Sequence, residues 1–94
     1  MKVTIKTIFS MEQYVGGHAT QSLNLPDDAT LMAALEKLMG YYGPSLQEKM
    51  FDGDRLRKGV VLYVNGRHFL VLDQLQTILK DADEILIMPP VGGG

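Results

Sequence analysis

Cysteine is absent from all 94 residues of this chain. That one absence excludes disulfide staples, thiolate zinc sites, iron–sulfur clusters and cysteine nucleophiles, and it agrees with a reducing cytosol. An excess of charge is missing too: nine Lys and Arg stand against eleven Asp and Glu, a formal charge of -2. Neither nucleic acid nor an anionic membrane is therefore expected as the main partner, and a protein partner is. No long hydrophobic run occurs at the start, where Met1-Lys2-Val3-Thr4-Ile5-Lys6 alternates polar with apolar. A signal peptide or membrane span needs a continuous apolar stretch, so the expectation is a cytoplasmic protein. Catalytic signatures are lacking as well: there is no Gly-x-Ser-x-Gly elbow, no phosphate-binding Gly-Lys-Ser/Thr and no dinucleotide fingerprint. His18 and His68 stand apart with no second ligand at metal spacing, so no metal site is expected. Asp52 and Asp54 lack the spacing of a calcium loop, while Asp81, Asp83 and Glu84 fall where a turn is expected. Solvated turns account for both groups.

What is present is an ordinary globular composition, 46% hydrophobic and 21% charged, in a length that suits one domain. Alternation marks Lys2 to Phe9 as a first strand, with Val3 and Ile5 on its apolar face. Gly16-Gly17 interrupts it, and Gln21 to Leu25 resumes a strand-like run that Pro26 stops. Leu31, Ala34, Leu35, Leu38, Met39 and Tyr42 recur at helical spacing, which predicts a helix from about Leu31 to Tyr42. Thr30 is its N-cap, and Gly43 with Pro44 ends it. Gly40 costs that helix about 1 kcal/mol relative to Ala, implying a frayed last turn or a close neighbour.

Ser45 to Arg57 reads as a helical turn around Leu46 to Met50 and then an Asp52-Gly53 turn. Asn65-Gly66 signals a hairpin joining Val60–Val64 to Arg67–Leu70. Asp73 to Lys80 has the spacing of a short helix but could equally be an irregular loop, Asp81-Ala82-Asp83 is a turn, and Glu84 to Met88 is a last strand. The class is α+β: a mixed sheet of about five strands packed on one main helix, which buries these apolar faces together.

Residues 1–88 then form the domain and residues 89–94 a flexible tail, Pro89-Pro90-Val91-Gly92-Gly93-Gly94. Two prolines stiffen its base and three glycines free its end. Fully extended, such a tail spans about 20 Å, enough to enter a deep cleft on another protein.

With that ending, the segment Leu79-Lys80-Asp81-Ala82-Asp83-Glu84-Ile85 to Met88, the Val64-Asn65-Gly66 before it and the start Met1-Lys2-Val3 through Phe9 resemble the MoaD and ThiS sulfur carriers over most of the chain. The resemblance implies a ubiquitin-like β-grasp fold whose first and last strands are parallel neighbours. It also implies that Gly94 is the reacting residue: its carboxylate is adenylated by a ThiF- or MoeB-like partner and becomes a thiocarboxylate. The chain would be a carrier and not an enzyme, with no bound cofactor, the ATP being used by the partner. In MoaD-like members the sulfur passes, with a MoaE-like large subunit, to molybdopterin or its tungsten counterpart; thiazole synthesis is the ThiS variant. By the same resemblance His68, Phe69 and Met88 belong to the face that docks these partners. Three departures stand out: Ala82 where a glycine is common, no arginine within Ser10 to Val15, and a longer stretch from Phe69 to Lys80. Two other functions fit the sequence: a modifier joined to lysines through Gly94, and an interaction domain with an inert tail.

Overall fold

The computed structural model describes residues 1–90. Strand β1 (Lys2–Thr7) pairs antiparallel with β2 (Thr20–Asn24), Val3 opposite Leu23. Between them the chain makes a 3-10 turn, Met11–Tyr14, that buries Met11 and is followed by buried Val15. Helix α1 spans Leu31–Tyr42, as its periodicity predicts. The Thr30 hydroxyl accepts from the Ala33 amide at 3.1 Å, and the Gly43 amide, at φ 80, donates to the Met39 carbonyl at 2.8 Å. Each bond satisfies one of the free backbone groups at its end of the helix.

Pro44 does more than stop α1, since it occupies the first turn of a second helix, α2 (Pro44–Met50), where its missing N–H has no partner to lose. Leu46 and Met50 are the buried face of α2. A two-residue pair of strands follows, β3 (Phe51–Asp52) and β4 (Arg55–Leu56), turning through Gly53. Strand β5 (Val61–Val64) and strand β6 (Arg67–His68) close a hairpin at Asn65-Gly66, both in the left-handed region. Strand β6 is shorter than expected, because the chain winds into a 3-10 turn at Phe69–Val71. The stretch from Asp73 to Lys80 is no α-helix: one 3-10 turn, Gln74–Gln76, precedes an extended crossing of the start of α1. There the Leu31 amide donates to the Thr77 carbonyl and the Leu79 amide to the Ala29 carbonyl, each at 2.8 Å. Leu79 is buried by this crossing while Ile78 faces out.

Strand β7 (Glu84–Met88) lies at the centre of a five-stranded sheet of order β2-β1-β7-β5-β6, parallel to β1 and antiparallel to β5. One sheet face, carrying Val3, Ile5, Leu62, Val64, Ile85 and Ile87, packs with the Leu31, Ala34, Leu35 and Leu38 stripe of α1 into one core. This is the β-grasp arrangement. The domain extends past the expected boundary at Met88: Pro89 is buried and Pro90 half-buried, the latter so close to Gly59 that a Cβ there would meet Pro90 Cβ at 3.4 Å. Burying a proline ring against the chain before β5 anchors the root of the tail. Among the described residues no helix is long and apolar enough to cross a membrane.

Candidate functional site

Parallel pairing decides where the chain end emerges. Thr7 sits beside Ile87, so β1 and β7 finish at the same edge of the sheet, and the tail leaves next to the β1–β2 connection. After Ile8 that connection has two consecutive residues in the left-handed region, Phe9 at φ 56 and Ser10 at φ 65. Left-handed backbone costs an L residue roughly 1–2 kcal/mol, and here it accompanies a Phe9 ring that is 62% exposed at the tail edge. Gly94, Gly93, Gly92 and Val91, four of the six residues assigned to the tail, lie outside the described residues.

The sheet face opposite α1 is uncovered. Alternation along β7 sends Ile85 and Ile87 into the core and leaves Leu86 and Met88 on this face, half-buried. Register places Tyr63 beside Leu86 and Val61 beside Met88, and His68 beside Tyr63 on the far side. The result is an apolar strip of Val61, Tyr63, His68, Leu86 and Met88 that leads to the root of the tail. The imidazole of His68 meets the Tyr63 ring edge-on at 5.4 Å and stacks on Phe69 at 5.4 Å, while its Nδ1 accepts from the Leu70 amide at 3.1 Å. Lys6 and Glu84 border the strip with an ion pair at 2.6 Å, both about half exposed, a contact worth at most about 1 kcal/mol.

Of the three residues expected to dock partners, His68 and Met88 are on this face and Phe69 is not. The 3-10 turn after β6 swings the Phe69 side chain toward the core, where it is 8% exposed. Leu70 and Val71, next in the chain, are exposed instead, at 59% and 70%. Leu86, Tyr63 and Val61 complete the face and were legible from period-two alternation within the two strands. Phe9 gave no such signal, since its exposure follows from backbone that the local sequence does not announce.

The acidic turn is structural. Asp81 accepts from the Lys2 amide and Asp83 from the Lys80 amide, each at 2.8 Å. Asn65 bridges Asp83 and the Glu84 amide at 2.8 and 2.9 Å, fixing the β5–β6 hairpin to the start of β7. Among the described residues no group of three His, Asp or Glu side chains could hold a metal ion. The described part of the site thus offers an open apolar face beside the packed prolines that precede the chain end.

Comparison with known proteins returns the pattern of the ThiS family over residues 8–94. Small archaeal modifier protein 3 of Haloferax volcanii is 30% identical over 86 residues, 92% of each chain. The solution structure of small archaeal modifier protein 1 of Methanosarcina acetivorans superposes with a TM-score of 0.85 at 30% identity, covering 99% of this chain and 96% of that one. The crystal structure of the Haloferax volcanii small archaeal modifier protein 1 gives 0.83 at 26% identity with both chains fully covered.

Proposed function

Since the chain belongs to the ThiS family of ubiquitin-like β-grasp sulfur carriers, we propose that it works through the carboxylate of Gly94, activated by an ATP-dependent partner in the cytoplasm. A carboxylate is a poor electrophile. One of its oxygens attacks the α-phosphorus of ATP and displaces pyrophosphate, leaving an acyl-adenylate. Hydrosulfide sulfur then attacks the acyl carbon, AMP departs, and a thiocarboxylate remains at Gly94. A terminal residue without Cβ lets the adenylating enzyme close a narrow, water-excluding channel around the reacting carbon. The observation that carries this reading is the family match running through the last residue, Gly94, joined to a strip of half-buried apolar side chains at the root of the tail. A glycine tail binds weakly by itself, and the strip supplies the affinity.

Sulfur transfer toward molybdopterin or its tungsten counterpart, with a MoaE-like subunit, is one outcome of that chemistry. The similarity to small archaeal modifier protein 3 favours a second from the same intermediate: a lysine amine attacks the acyl carbon, AMP leaves and an isopeptide bond forms. ATP–pyrophosphate exchange with the cognate ThiF- or MoeB-like enzyme tests the shared step. The intact chain supports exchange and a chain lacking Gly93 and Gly94 does not; equal exchange by both would refute the proposal.

A further inference from the structure

Beside the open face lies a groove of ≈ 410 Å³ between the chain before β5 and the 3-10 turns after β6. Its apolar lining includes Leu56, Val60 and Leu75, with Leu70 exposed beside them. Arg57 and Lys58, both exposed, also line it, and no Asp or Glu does. Among the described residues neither cation has a carboxylate within ion-pair distance; the two ion pairs are those of Met1 with Asp27 and Lys6 with Glu84. The groove shares Val61 and His68 with the open face, and a Cβ on its lining residue Gly59 would meet Pro90, at the root of the tail, at 3.4 Å.

An apolar channel with two cations and no acid complements an extended segment that carries an apolar side chain next to Asp or Glu. Position decides whose segment. A protein that covers the open face while drawing Gly94 into its active centre passes beside Pro90, which adjoins the groove at Gly59. We infer that the groove seats an acidic, apolar segment of the adenylating enzyme and selects which such enzyme the chain accepts. This rests on the reading of Gly94 as the activated residue. The stretch from Phe69 to Lys80 supplies Phe69, Leu70, Gln74 and Leu75 to the groove, which gives that long connection a use beyond its contacts with α1.

The test is pyrophosphate exchange with the cognate adenylating enzyme, using the full chain with Lys58→Glu and, separately, Leu70→Asp. Each variant keeps the apolar strip and the tail. Both are expected to raise KM for the carrier about tenfold with kcat changed less than about twofold, and Lys58→Glu to flatten the dependence of KM on salt. Amide chemical shifts of Lys58 to Val61 and Leu70 should move when unlabelled enzyme is added to the folded, isotope-labelled chain. Wild-type KM and salt dependence in both variants, with groove amides unmoved, would overturn the inference while leaving the activation of Gly94 intact. Groove shifts that change in the free chain on deleting Gly92 to Gly94 would overturn it differently, by making the chain's own end the occupant. Absence of exchange by the wild-type chain would remove the underlying reading and the groove's role together.

Discussion

Ala82 has φ 71 in the turn that launches the central strand, and its amide donates to the Lys2 carbonyl at 2.8 Å. A left-handed turn suits glycine, which carries no Cβ to clash with the following carbonyl. Replacing Ala82 with Gly should therefore stabilise the fold by roughly 1 kcal/mol, a rise in Tm on the order of 5 °C for a domain of this size. A thermal melt checks it, and a lower Tm would show that the turn is not strained. At the other functional extreme, Gly94→Ala should leave the melt unchanged and slow adenylation about 100-fold, since a displaced acyl carbon loses its line to the phosphate. Single-turnover formation of the adenylate is the measurement.

At the scale of elements, what could be read in advance was what local chemistry dictates. Helix α1 begins and ends where Thr30, Gly43 and the apolar spacing place it, and β7 runs over the predicted five residues. The parallel pairing of β1 with β7 followed from the family resemblance, because no periodicity specifies a partner strand. The failures lie where tertiary contacts override local pattern. Phe69 continues the apolar run of a strand, yet the chain turns there and the core takes the ring. Leu75, Ile78 and Leu79 have helical spacing, which left a short helix and an irregular loop both open; the loop forms, its Thr77 carbonyl accepting from the Leu31 amide and its Leu79 amide donating to the Ala29 carbonyl. Pro89 reads as the first residue of a free tail, yet it is buried, and Gly59 leaves room for Pro90 to approach. Gly40 resolves one choice left by the sequence: a Cβ there meets nothing within 4 Å, so no neighbour requires the glycine. Gly40→Ala should then raise stability by about 0.5–1 kcal/mol, as urea denaturation would report. An unchanged or lower midpoint would mean that the glycine serves the last turn in some other way.

Across the whole molecule, the sheet divides labour between its faces. The face toward α1 stabilises; the open face, which carries Leu86, is the one the proposed function gives to a partner. Leu86→Ser should raise KM for the adenylating enzyme about tenfold with a melt shifted by only a few degrees, since loss of a central apolar anchor affects association more than a half-buried position affects folding. The account as a whole is tested most directly by the intact mass of the chain after incubation with ATP, its cognate adenylating enzyme and sulfide. It predicts a gain equal to the exchange of one oxygen for one sulfur, located in the C-terminal peptide that ends at Gly94. An unchanged mass, or the same gain in a chain lacking Gly93 and Gly94, would contradict it.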